Sequence, residues 1–337
     1  MTGRRLGTAL PALAFAAWAL PASSAIALRC LEAVPGVTWM RWTASGEDAL
    51  DRWCASVGPP VFLASAVMPG EITRLRILSW NIHVGGGRVE DIVRSIRDDI
   101  SDTSRTGVVL LLEEAYRAGQ DVPDSYPPGL RVPSAIRPWR RGVDIVELAS
   151  RLKMSVAYVP SMRNGPATSV SEREDRGNAV LSTEPLSDVR AIELPLGKQR
   201  RVAIAVTVTP RRPSAMPLRV IATHFDTSGE RVPQARALGQ RIVELRGLPM
   251  VVGGDFNAFR GFRDDAVRAV GDHISLEGCG TGRTNRWPLR LDVLAFFIGR
   301  LDFMFSTLGS LGIVRECRTL TDAYGSDHLP VLLTVRY

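Results

Sequence analysis

Arg76-Ile77-Leu78-Ser79-Trp80-Asn81-Ile82-His83 is the stretch on which the reading of this chain turns. It runs apolar and then stops at an amide and an imidazole, as a buried strand does when it delivers polar side chains to a sheet edge. Gly85-Gly86-Gly87 follows as a turn. It lacks P-loop spacing, so it predicts flexibility and no phosphate cradle. Val89, Ile92, Val93 and Ile96 then recur at helical spacing. Val108 to Leu112 makes a second apolar strand, and Glu113-Glu114 stands at its end. Strand, helix and strand thus follow one another, and each strand ends in groups capable of chemistry.

The same alternation continues outward. Ile145, Leu148, Ala149 and Leu152 mark another helix, and Ser155 to Val159 another strand. Val202, Ile204, Val206 and Val208 alternate with Ala and Thr, which predicts a half-buried antiparallel strand. Leu218 to Thr223, Met250 to Gly253, Phe303 to Thr307 and Leu329 to Val335 complete the strand set, with a helix over 233–245 between two of them. Parallel-type runs and alternating strands together predict a mixed α/β protein with two sheets.

The polar residues sort by position. Asn81, Glu114 and His224 end strands, Asp255 and Asn257 follow one, and Asp302 and Asp327-His328 open two more. If the last strands run opposite to the others, all of these meet at one edge, where loops build sites. Asn81, Glu114 and Asp327 are hard oxygen ligands suited to Mg²⁺, with Mn²⁺ or Ca²⁺ as alternatives. Asp255 and Asn257 can orient a water and hold an oxyanion. His224 and His328 can donate protons to phosphate oxygens, and Asp302 can fix an imidazole tautomer. Such a set around a divalent cation suits phosphoester hydrolysis. No serine or cysteine nucleophile elbow, Walker loop or dinucleotide fingerprint competes with it.

Trp80-Asn81-Ile82-His83, Leu112-Glu113-Glu114, Thr223-His224, Gly254-Asp255-Phe256-Asn257, Asp302-Phe303-Met304-Phe305 and Ser326-Asp327-His328, in that order, resemble the motifs of the endonuclease/exonuclease/phosphatase (DNase I-like) superfamily. The resemblance covers about residues 75–337. It implies a four-layered α-β sandwich with two packed mixed β-sheets and hydrolysis aided by Mg²⁺ or a similar ion. Asn81 and Glu114 would then lie at the metal with Asp327 near it. Asp255 would activate or orient the water and Asn257 hold the phosphate. His224 would stabilise the phosphate or protonate the leaving group, and Asp302 would orient His328. Glu113 stands where many members have Gln. Asp175 is the candidate carboxylate for orienting His224. The substrate is then a phosphoester, read as a phosphodiester of nuclease type. A phospholipid, an inositol phosphate or a non-catalytic phosphate ligand are the alternatives, and the protein is expected to be a monomer.

The remaining sequence sets the context. Arg4 and Arg5 precede an uncharged run to Leu28 that closes on small residues, which predicts a signal peptide over 1–27 and an exported protein. An uncleaved membrane anchor is the alternative. Residues 28–70 read as a poorly periodic prefix with Trp39, Trp42 and Trp53, before one domain over 71–337. Cys30, Cys54, Cys279 and Cys317 form an even set, read as Cys30–Cys54 and Cys279–Cys317 disulfides. Apolar residues at 45% and charged residues at 23% exclude a fibre, a disordered tail and a multi-span membrane protein. The net charge is +7, and all basic residues but Lys153 and Lys198 are arginine. Arginine forks onto phosphate well. Even so, Arg200-Arg201, and Arg137, Arg140 and Arg141 around Trp139, read first as solvated surface, with a phosphate-bearing substrate as the alternative. Leu291 to Ile298 reads as core or helix, or else as a membrane-touching loop.

Overall fold

The computed structural model describes residues 34–41, 47–66, 69–98, 105–165, 173–274, 282–285, 299–309 and 315–337. The predicted signal peptide, Cys30, Cys279 and Leu291 to Ile298 lie outside them. No helix among the described residues is long and apolar enough to cross a membrane.

The strands that the apolar runs predict all form. The strands and helices, in chain order, are β1 (Val37–Met40), α1 (Glu47–Cys54), β2 (Val61–Leu63), β3 (Arg74–Asn81), α2 (Val89–Asp98), β4 (Thr106–Ala118), α3 (Ile145–Leu152), β5 (Ser155–Arg163), β6 (Glu174–Ser182), β7 (Leu186–Glu193), β8 (Val202–Val208), β9 (Leu218–His224), α4 (Arg231–Glu244), β10 (Met250–Asp255), α5 (Asp265–Gly271), β11 (Asp302–Ser306), β12 (Arg315–Thr319) and β13 (Val331–Arg336). One sheet runs β1-β7-β8-β9-β10-β11 and the other β12-β13-β3-β4-β6-β5-β2. Both mix parallel and antiparallel pairs.

Three apolar layers hold four structural ones. Ile77, Val109, Leu111, Ile204, Val206 and Val251 fill the space between the sheets. Leu78, Trp80, Leu110 and Leu112 pack on the apolar stripes of α2 and α3. Ala203, Ile221 and Val252 pack on Leu238 and Ile242 of α4 and Val267 of α5. Two packed mixed sheets flanked by helices make an α-β sandwich of the DNase I-like kind. α3 ends where its sequence tells it to. Asp144 caps α3 by accepting from the Val146 and Glu147 amides at 2.8 and 3.1 Å, and Lys153 closes it in the left-handed region at φ 55°.

Three expectations change. β8 is antiparallel to both neighbours but buried on both faces, because α4 and α5 cover the face that the Ala and Thr residues leave narrow. The described residues of the stretch 28–70 do not stand apart: β1 pairs with β7 and β2 with β5, so they supply an edge strand to each sheet. Gly85-Gly86-Gly87 is not a flexible turn. It is buried, and its amides donate to the carbonyls of Glu114, His83 and Ile82 at 3.1, 3.0 and 2.9 Å. Among the described residues no cysteine is free; Cys54 and Cys317 are disulfide-bonded, and Cys30 and Cys279, with which they are expected to pair, lie outside the described residues.

Candidate active site

Strand register builds the site. In the first sheet Asp255 is aligned with His224 on β9 and with Asp302 on β11, so three functional side chains start from neighbouring positions on adjacent strands. In the second, Asn81 on β3 is aligned with Glu113 on β4. The two rows meet where the Asn81 amide donates to Asp255 Oδ2 at 3.1 Å. β13 runs antiparallel to β3, which brings His328, just before β13, to the same edge. There His328 Nδ1 lies 2.8 and 3.0 Å from the two oxygens of Asp302. Its Nε2 faces Asp255 Oδ2 at 3.8 Å, and His224 Nε2 faces the same oxygen at 3.4 Å. Asp255 is therefore the hub of Asn81, His224 and His328.

The backbone is bent to this end. His83, Val84, Glu114 and Asn257 all have φ between 48 and 53°. That left-handed region is unfavourable for side-chain-bearing residues, above all for β-branched Val84, and such strain concentrates at functional sites. At Glu113-Glu114 the register of β4 against β6 shifts between Leu112 and Ala115. The resulting bulge aims adjacent glutamates differently. Glu114 meets Arg176 Nη1 at 3.6 Å. Glu113 is fully buried, 3.4 Å from Ser79 Oγ, with its Oε2 unpartnered. Burial pushes its carboxyl well up, with Asp302 and Asp255 adding to the effect. Its neutral form is a fair substitute for the glutamine expected at this position.

The two imidazoles are tuned apart. Burial alone would lower His328, but Asp302 and Asp255 outweigh it and hold the ring well above its ordinary value. Burial, Arg201 and Arg176 hold His224 well below. At neutral pH His328 is the cation and His224 is neutral. Burial raises the Asp255 carboxyl to about 7, His328 pulling it down and Asp302 pushing it up.

Asn257 donates its amide N–H to the Phe225 carbonyl at 2.9 Å, while its backbone N–H bonds Asp255 Oδ1 at 2.9 Å. Asp327 lies 3.4 Å from His83 Nδ1. Among the expected site residues, Asn81, His224, Asp255, Asp302 and His328 form one contact network, Asn257 joins through its backbone, and Glu114 and Asp327 flank it. Asp175 does not orient His224. Its oxygens take the Tyr158 hydroxyl at 2.6 Å and the Gly58 amide at 2.7 Å, so it is a buried structural carboxylate.

The sequence does not mark Arg176 as a site residue, and it gives Arg201 a phosphate-bearing substrate only as the alternative to surface. Arg200 and Arg201 are not solvated surface. Arg200 is wholly buried in a paired contact with Glu193, at 2.9 and 2.7 Å. Arg201, its neighbour, turns to the site and joins Arg176. Burial and Arg176 pull Arg201 down to about 10, while Glu114, Asp226 and Asp255 pull it back up. Arg176 Nε and Nη1 and Arg201 Nε are buried with no hydrogen-bond partner. The only signal in the sequence is that Arg176 follows Asp175 and Arg201 opens an apolar strand.

The expected donors Glu114, Asp327 and the Asn81 amide are hard oxygens of the kind a divalent cation takes. Among the described residues, Asp255, Asp302 and His328 form a three-donor group whose atoms lie within 4.8 Å of one another. Asp302, however, already holds His328 Nδ1 with both oxygens, which suits a proton relay better than a metal shell.

The family model described as Endonuclease/Exonuclease/phosphatase family matches residues 78–328. The chain belongs to the endonuclease/exonuclease/phosphatase family. Its fold is also that of solved members. A Beutenbergia cavernae endonuclease/exonuclease/phosphatase is 20% identical at a TM-score of 0.53, over 78% of this chain and 72% of that one. An endonuclease/exonuclease/phosphatase family protein from Leptotrichia buccalis is 12% identical at 0.53, over 78% of this chain and 100% of its own. No curated protein matches the sequence. Endonuclease/exonuclease/phosphatase proteins hydrolyse phosphoesters and are generally dependent on a divalent metal, and this chain has a group of carboxylates and an imidazole that could hold one.

Proposed function

We propose that the protein is an exported, divalent-metal-dependent phosphodiesterase of nuclease type. The buried arginine pair carries this reading. Arg176 and Arg201 share one low-dielectric site with three guanidinium nitrogens that make no hydrogen bond. Glu114, 3.6 Å from Arg176, and Asp226 and Asp255 near Arg201 offset this charge without hydrogen-bonding those nitrogens, and a phosphodiester offers them non-bridging oxygens. The disulfide-bonded Cys54 and Cys317 support an oxidising compartment.

Asn81, Glu114 and Asp327 are the residues that would hold the ion, which when bound supplies Lewis-acid stabilisation of phosphoryl charge. Arg176 and Arg201 hold the non-bridging oxygens, and Asn257 fixes the phosphate against β10. Asp255 accepts a proton from the attacking water as that oxygen bonds to phosphorus. The bond from phosphorus to the leaving oxygen breaks, and that oxygen takes the proton from His328 Nε2. Asp302 keeps the His328 tautomer and stabilises its cation, and the proton on Asp255 returns to His328 across 3.8 Å. Neutral His224, 3.4 Å from Asp255, stands beside the base and is not the acid.

The test is hydrolysis of bis(p-nitrophenyl) phosphate by residues 28–337 with Mg²⁺. Activity is expected to vanish on chelation, and in Asp255→Ala and Glu114→Gln, while near-ultraviolet circular dichroism stays native. Full activity in excess chelator would overturn the mechanism.

A further inference from the structure

Beside the site lies a cleft of about 660 Å³ between the end of β4 and the 119–144 loop, its walls including Val84, Tyr116, Asn164, Arg137, Arg140 and Arg141. Tyr116 is two residues beyond Glu114, so the cleft opens directly off the expected metal edge. The loop is anchored to that edge. The Val143 amide donates to Gly85 O at 3.1 Å, and the Gly85 amide donates to Glu114 O at 3.1 Å. A Cβ on Gly86 would stand 2.3 Å from Pro138 Cβ, so only glycine lets the loop lie so close.

Three features in and beside the cleft point the same way. Its carboxylate Glu174 is already satisfied, by Arg137 at 2.7 Å, Tyr116 at 2.8 Å and Asn164 at 3.2 Å. Arg140 and Arg141 are exposed and make no hydrogen bond or ion pair among the described residues. Trp139 does not line the cleft but stands between its lining residues Pro138 and Arg140, and it is 75% exposed, the most open large apolar side chain described. Trp139 is held edge-on to His83, ring centroids 6.0 Å apart, and His83 in turn faces Asp327. An open indole one ring away from the catalytic edge, flanked by two uncommitted guanidinium groups, matches a base joined to a phosphate. A lipid headgroup would use the cations but gives no reason for the exposed ring. A base in a duplex is already stacked and cannot cover it.

We infer that Trp139, Arg140 and Arg141 form a subsite for an unpaired nucleotide adjoining the scissile phosphate, so that the substrate is single-stranded nucleic acid. This rests on the phosphodiesterase reading above, but its test does not. Binding of a fluorescent oligothymidylate to the full chain is measured in chelator, by anisotropy, across a salt series. Trp139→Ala should weaken binding roughly 5- to 150-fold, the range of one base stack. Replacing Arg140 and Arg141 by alanine should each lower the salt slope by about one. Hydrolysis of bis(p-nitrophenyl) phosphate should keep its kcat and KM in all three variants, which also shows that they fold. Unchanged oligothymidylate binding in Trp139→Ala overturns the subsite. So does a loss of binding to sphingomyelin vesicles with oligothymidylate unaffected, which would assign the cleft to lipid. Trp139-dependent binding by a protein inert towards bis(p-nitrophenyl) phosphate would leave the subsite standing and remove the phosphodiesterase reading instead.

Discussion

Neighbouring residues with one side-chain type do different work here, and the difference is measurable. Arg200 neutralises Glu193 in a fully buried pair, so Arg200→Ala leaves an uncompensated carboxylate and should destabilise the fold by about 3–5 kcal/mol. Arg201 is a buried cation beside a like charge. Arg201→Met should therefore abolish most phosphodiester turnover and leave the thermal midpoint unchanged or higher. A denaturation series on both variants, run beside the bis(p-nitrophenyl) phosphate assay, separates the two; equal destabilisation would refute the assignment of Arg201 to the substrate. His328 allows a similar contrast. Asp302→Asn keeps the volume but removes the charge that holds the imidazole protonated, so kcat should fall roughly 10²- to 10⁴-fold. The alkaline limb of the rate profile, where His328 loses its proton, should also shift to lower pH in that variant. At this scale the sequence was informative about residue type and weak about direction. Asp175 sat beside a motif and proved structural, whereas Arg201 looked like surface and faces the site. Which way a side chain points depends on strand register and bulges, and those are long-range properties.

At the scale of elements, the parallel pairing of β9 with β10 places Asp255 beside His224, and Gly254 makes that pairing close enough. A Cβ on Gly254 would fall 2.0 Å from the Thr223 carbonyl. Gly254→Ala should force the two strands apart, cost about 1–3 kcal/mol or more, and lower turnover through displacement of Asp255. The check is a melting curve with the hydrolysis assay; native stability with native activity would show that the pair tolerates the methyl group. Most strands with continuous apolar runs, β3, β4, β9, β10 and β13, were legible from hydrophobicity alone. The short or mixed ones, β1, β2, β6, β7 and β12, were not. Their propensity is decided by what they pair with, an Arg- and Asp-bearing strand such as β6 being stable only between β4 and β5.

At the scale of the molecule, the described residues of the stretch 28–70 are part of the domain. They supply β1 and β2, the Gly58 amide that meets Asp175, and Trp39, whose ring lies 5.5 Å from the Arg200 guanidinium carbon. A chain beginning at residue 71 should expose two sheet edges and melt at a lower temperature, or precipitate, compared with one beginning at 28. An equal melting temperature would show the prefix to be dispensable. The buried Asp175 also gives whole-molecule stability a pH signature. Burial raises its carboxyl from 3.8 to about 6, against the bonds from Tyr158 and Gly58. The folded state then binds more protons than the unfolded state between these values, so this residue's contribution to stability is greatest below pH 4 and declines as pH rises through 6. Asp175→Asn removes that dependence. The stability difference between variant and wild type should move in favour of the variant by up to about 3 kcal/mol between pH 4 and 7, in urea melts at each pH.

By itself the sequence determined the class of fold, the order of most strands, and the amide, carboxylate and imidazole residues that end them. Those follow from local hydrophobic periodicity and from residue chemistry, which need no knowledge of distant neighbours. Only the tertiary structure decided that Asp255 is the hub, that Asp175 is structural and does not orient His224, that Arg176 and Arg201 share a buried site, and that Trp139 opens beside it. Each of these depends on which strands lie side by side, and in what register, across separations of tens to hundreds of residues. Burial and pairing then set charge states that no local stretch of sequence specifies.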